Sequence, residues 1–136
     1  MSHRIKSTFF LLIIAQGLHS IEEYAGKLWE EFPPARYVTG LVSPDHREGF
    51  IIINILLFLF GLWCWMIPVR KNYSYAGLLI YFWIAIEFIN GIGHPLWSLL
   101  MYSYTPGLIT SFLLLALSVG MMILLFRNKT PHSEIN

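Results

Sequence analysis

The sequence predicts an all-α protein: a single domain built as a bundle of four transmembrane helices. Three observations carry that expectation. Of the 136 residues, 56% are hydrophobic and 12% charged, against about 25% charged in an ordinary soluble domain. Predominantly apolar runs recur along the chain, each close to the length of about 20 residues that crosses hydrocarbon as a helix. The basic residues collect at alternate ends of those runs, as a fixed orientation in a bilayer requires.

The first run, about 7–26, is the least apolar and closes on the polar stretch LHSIEEYAG. A signal peptide is its rival reading, with Arg4 and Lys6 ahead of FFLLIIA and Ala15-Gln16-Gly17 as the cleavage site. The polar residues continue in helical register and have counterparts in the third run, which favours a retained helix. The second run, 49–69 (GFIIINILLFLFGLWCWMIPV), has no charged side chain. The third, about 75–102, is interrupted by Glu87 and His94, and the fourth, 107–126 (GLITSFLLLALSVGMMILLF), is free of charge.

Arg4, Lys6, Arg70, Lys71, Arg127 and Lys129 mark one side, while the MYSYTP connection has no basic residue. Both termini are therefore expected in the cytoplasm, in a multi-pass protein of the cell membrane. Trp63, Trp65, Tyr73 and Tyr75 suit an inner aromatic belt, and Tyr24, Trp29, Trp97, Tyr102 and Tyr104 an outer one. In the outer connection 27–48, Pro33-Pro34 breaks helix and Pro44-Asp45 reads as a turn or a helix start. The sequence leaves that connection's structure open.

A net charge of +1 points away from nucleic acid, and the lone Cys64 excludes an internal disulfide or a thiolate zinc cluster. The expected partners are the lipid bilayer and a lipid-like small molecule, with oligomerisation left open.

An ionisable side chain at the centre of a span costs about 2.5–3.5 kcal/mol on insertion scales, so each one needs a reason. His19, Glu22 and Glu23 are spaced i, i+3, i+4 and share a helical face; Glu87, Asn90 and His94 are spaced i, i+3, i+7 and share another. With a rise of about 1.5 Å per residue, His19 and Glu87 both lie roughly 18 Å from the cytoplasmic ends of their spans. Asn54, Thr110 and Ser111 fall near the outer ends of theirs. The stripes converge on the outer half of the bilayer. Pro95, flanked by Gly91 and Gly93 in FINGIGHPLW, predicts a break in the third span there.

Two chemistries fit this set. Glu22, Glu87, His19 and His94 are the candidate catalytic residues, the carboxyls exchanging protons and the imidazoles orienting them. The same four, His19, Glu22, Glu87 and His94, form a candidate mononuclear site for iron, manganese or zinc. A di-iron box is excluded, since only one His-x-x-Glu-Glu and no second Glu-x-x-His pair occurs. Glu23, Asn54, Asn90, Trp83 and Trp97 are the candidate substrate contacts. Bland readings compete: Asn54 and Asn90 as interhelical clasps, Thr110 and Ser111 as packing, His46 and Glu48 as solvated loop residues, His3 and His132 as tails.

His19-Ser20-Ile21-Glu22-Glu23, together with Glu87, Asn90 and His94 in a later span, resembles the HXXEE family of small prokaryotic membrane proteins. The resemblance implies a multi-span helical fold and points to those residues, but implies no reaction. The function expected is a small membrane enzyme doing acid/base or metal-assisted chemistry on a lipid-like or isoprenoid substrate. The alternative is a non-catalytic lipid- or ion-binding membrane protein.

Overall fold

The computed structural model describes residues 1–129, so His132 lies outside the described residues. The chain forms α1 (His3–Ala25), α2 (Leu28–Glu31), α3 (Pro33–Gly40), α4 (His46–Cys64), a π-helical turn (Trp65–Val69), α5 (Ala76–Met101) and α6 (Leu108–Lys129). No strand occurs among the described residues.

Local chemistry sets most boundaries. The Ser2 hydroxyl accepts from the Ile5 amide at 3.4 Å and starts α1 four residues before the expected Ser7. Asp45 starts α4 in the same way, accepting from the Arg47 and Glu48 amides at 2.9 and 3.4 Å. Left-handed residues stand at Lys27, the N-cap of α2, at Asn72 in the turn after the π segment, and at Tyr102, which ends α5. Pro68 lacks an amide proton to continue the α ladder, and the helix widens into the π turn around it. The predicted break at Pro95 does not occur, because α5 runs through it as one helix of 26 residues.

The element count also differs from the expectation of four helices. The additional α2 and α3 fold the connection 27–48, with Pro33 at the first turn of α3, where its missing amide proton costs no helical bond. Three helices are long and apolar enough to cross a membrane: His46–Val69, Ala76–Met101 and Leu108–Asn128. α1 is comparably long but is not among them, because Arg4, Lys6, Gln16, His19, Glu22 and Glu23 dilute its apolar run.

α5 and α6 form an antiparallel hairpin with the most extensive contact in the fold, and α1 packs on α6 and on α4. Gly91 lets that hairpin close. A Cβ there would stand 2.7 Å from Leu115 Cβ and 2.9 Å from its backbone nitrogen. At the amino-terminal end of α1, Lys6 Nζ donates to the Arg70 carbonyl (2.9 Å) and Trp65 Nε1 to the Lys6 carbonyl (3.0 Å).

The polarity of the bundle is inverted relative to a soluble protein. Leu56, Leu78, Ile89, Leu99, Ile109 and Phe126 are exposed, whereas Gln16, His19, Glu23, Glu87, His94 and Ser111 are buried. An apolar core holding Phe9, Leu12, Ile13, Ile80, Trp83 and Met121 fills one end, and a smaller cluster around Leu28, Trp29 and Phe50 fills the other. The buried polar residues lie between.

Candidate functional site

Helical spacing builds the centre. Gln16, His19 and Glu23 follow i, i+3, i+7 on α1, and Glu87 and His94 stand two turns apart on α5. His19 and Glu87 have no exposed surface, and Glu23 and His94 are 8% and 9% exposed. Glu23 Oε1 lies 3.3 Å from His19 Nε2 and 3.2 Å from His94 Nε2. The two imidazoles meet edge to face, with ring centres 4.7 Å apart. One potential ligand atom from each of His19, Glu23 and His94 lies within 4.8 Å of the others.

The other faces of these rings are set by the α5–α6 connection. His19 Nδ1 lies 2.8 Å from Thr110 Oγ1, in the first turn of α6. Gly107, at φ +90°, turns the chain directly against both rings. A Cβ there would lie 2.7 Å from His94 Cε1 and Nδ1 and 2.8 Å from His19 Cε1, so no larger residue fits. His19 Nε2 and His94 Nδ1 are buried without a hydrogen-bond partner.

Glu22, one residue away, does something different. Its Oε1 accepts from the Ile109 amide (2.9 Å) and the Tyr104 hydroxyl (2.7 Å). Its Oε2 accepts from the Thr110 amide (2.8 Å) and the Thr110 hydroxyl (2.5 Å). A carboxylate thus caps the amino terminus of α6, where unpaired amides and the helix dipole favour negative charge. Burial, the hydrogen bond to Glu22 and its charge together push the Tyr104 phenol up to about 12, so it stays a donor at neutral pH.

Glu87 sits one level below the imidazoles, paired along its own helix with Asn90. The Gln16 amide faces it, its nitrogen 2.8 and 3.1 Å from the Glu87 oxygens when turned to donate. Gln16 also touches Ser20 Oγ at 3.2 Å, and Ser20 donates to Asn54 Oδ1 at 2.7 Å. Asn54 Nδ2 donates to the Phe50 carbonyl at 2.9 Å. Ser20 and Asn54 border an apolar groove of about 480 Å³ between α1 and α4, whose walls include Gly17, Leu18, Ile21 and Phe58.

The expected residues therefore separate into groups. His19 and His94 meet, although the expected level paired His19 with Glu87, and their common carboxylate is Glu23. Glu22 turns to α6, and Glu87 faces Gln16. The expected level of His19 with Glu87 is off by about one turn, since α1 begins at His3 rather than Ser7. Asn54 borders the groove, not the His/Glu cluster. Trp83 belongs to the apolar core beside Gly61 and Ile13. Trp97 packs at a tilt against Phe32, with its ring centre 6.2 Å from that of His94. His46 and Glu48 tie the α3–α4 turn, through Thr39 (3.2 Å) and Ser43 (3.3 Å). Gln16, Ser20, Thr110, Tyr104 and Gly107 were not singled out from sequence as site residues. Gln16 was detectable, standing one turn before His19 on the same stripe.

These features define a class: a helical bundle with an apolar exterior, three helices able to cross a membrane, and a buried His/Glu cluster. The profile of a family described as "Protein of unknown function with HXXEE motif" matches residues 10–122, and the chain belongs to that family. The motif is the pentapeptide 19–23, whose histidine and second glutamate meet His94. No curated protein and no solved structure matches the chain.

Proposed function

We propose that this is a multi-pass cell-membrane enzyme that works on a lipid-like substrate. In this reading α1, α4, α5 and α6 cross the bilayer and both termini are cytoplasmic. The apolar exterior and the polar interior support it, since lipid rewards apolar exposure and only a protein interior accommodates such a cluster. The exposed flank of α1–α4 offers an acyl or isoprenoid chain a groove, and Ser20 and Asn54 offer its polar group two partners.

One observation carries the reading: the polar path Glu87–Gln16–Ser20–Asn54 leads from the buried cluster to that groove. Its hydrogen bonds respond to a proton. With the Gln16 nitrogen toward Glu87, the amide donates to a carboxylate, and its oxygen accepts from Ser20 at 3.2 Å. With the amide turned over, its nitrogen donates to Ser20, leaving the Ser20 proton for Asn54. The Gln16 oxygen then faces Glu87 and needs the carboxylic acid as donor. Gln16 can therefore partner the Glu87 carboxyl whether or not it carries a proton, which suits Glu87 to give and take one. Glu22, occupied by four donors, is a positioning residue.

The test is incubation of purified protein with a total membrane lipid extract, read by mass spectrometry beside Glu87→Gln and Asn54→Leu. The expected result is one lipid class converted by wild type, not by Glu87→Gln, and more slowly by Asn54→Leu. A lipid class that co-purifies equally with wild type and Glu87→Gln, with no conversion, would replace the enzyme by a lipid-binding protein.

A further inference from the structure

We propose that His19, Glu23 and His94 hold one divalent transition cation of the zinc or iron(II) type, bound through both Nε2 atoms and Glu23 Oε1. This goes beyond the lipid-substrate reading and does not depend on it.

The hydrogen-bond directions carry the argument. Glu22 accepts four hydrogen bonds, which leaves its oxygens no role but acceptor, so the Thr110 hydroxyl must donate its only proton to Glu22 Oε2. The Thr110 oxygen can then only accept from His19, and the hydrogen of the neutral ring sits on Nδ1. His19 Nε2 is left as a bare lone pair. It points into a buried space toward a carboxylate oxygen 3.3 Å away, with no hydrogen bond formed. Two lone pairs facing each other without a cation repel. A second imidazole nitrogen reaches the same oxygen at 3.2 Å.

A proton between an imidazole Nε2 and Glu23 is the simplest rival, and the metal measurement below separates the two. A charge-assisted N–H···O bond closes to about 2.7–2.9 Å. Two ligands each about 2.0–2.1 Å from a tetrahedral metal stand about 3.3 Å apart. The observed 3.2 and 3.3 Å separations suit two edges of such a tetrahedron, and all three candidate ligand atoms lie within 4.8 Å of one another. Two imidazoles and one carboxylate also form the donor set that zinc and iron(II) take with a position left open for water or substrate. The Glu22–Thr110–His19 chain does what an outer-shell partner does for a metal histidine: it fixes the tautomer and the ring. Gly107 packs directly against both rings.

This ligand set differs from the one expected from sequence, and the difference makes the test specific. Full-length protein in detergent is freed of loosely held ions, and its metal content is measured by mass spectrometry, which also tells zinc from iron. Apo protein is then titrated with Co²⁺ and its visible spectrum recorded. The expected result is about one metal per chain, an intense tetrahedral Co²⁺ band, and a loss of affinity of about tenfold or more in His19→Ala, Glu23→Gln and His94→Ala. Glu87→Gln keeps the metal, because that carboxyl lies outside the set. Wild-type protein with neither metal nor Co²⁺ band while helical by circular dichroism would overturn the proposal. So would equal metal in wild type and all three variants, which marks an adventitious ion. The Co²⁺ spectrum needs only wild type, so a variant that fails to fold does not spare the proposal, and none of these outcomes bears on lipid conversion.

Discussion

Thr110 shows how much a single hydroxyl arranges. It donates to Glu22 and accepts from His19, and so joins the cap of α6 to the imidazole of α1. Thr110→Val keeps the shape but leaves the buried His19 Nδ1–H unpaired, at a cost of about 1–3 kcal/mol. Thr110→Ser keeps the hydroxyl and is expected to recover most of that loss. Thermal unfolding in detergent measures both, and equal destabilisation by Val and Ser would remove the bridging role. The residue scale is also where sequence reading reaches its limit. Glu22 and Glu23 are chemically identical neighbours about 100° apart on one helix turn. Their presence in a polar stripe was legible; which of them meets the histidines was not, because the rotation of α1 is set by its packing on α6 and α4.

Among elements, the α5–α6 hairpin positions the site, and Gly91 sets its separation. Any Cβ at Gly91 meets Leu115 backbone atoms at 2.9 Å, which cannot move aside as a side-chain tip can. Gly91→Val is expected to force the helices apart and destabilise the fold by about 1–3 kcal/mol. Hydrogen exchange would report it as faster exchange of amides in both α5 and α6. Protection unchanged in α6 would show that the hairpin does not depend on this contact. The adjoining Pro95 illustrates a local rule that lost to packing: α5 stays continuous through it, buried on the face that carries Gly91, His94 and Ser98. Thr105 and Ser98 hydrogen-bond each other just beyond, tying the end of α5 to the connection.

At the scale of the whole molecule, the inverted polarity is the governing feature. Its consequence in a bilayer is topological: with four crossings, both ends lie on one side. In a Cys64→Ser background, single cysteines at Ser2 and Asn128 should react with an impermeant maleimide from the cytoplasmic face only, and one at Tyr102 from the outer face only. Labelling of Ser2 and Asn128 from opposite faces would leave an odd number of crossings and withdraw α1 from the spanning set.

The sequence by itself determined the helical class and the predominantly apolar runs, because hydropathy and helical periodicity act over a few neighbouring positions. It also placed His19 and His94 on polar stripes that converge on one half of the bundle. The tertiary structure alone decided that Glu23 is their shared carboxylate, that Glu22 caps α6, and that Gln16 carries Glu87 toward the groove. Those pairings depend on helix rotation and on a one-turn register between α1 and α5, which arise only when each helix packs against the others.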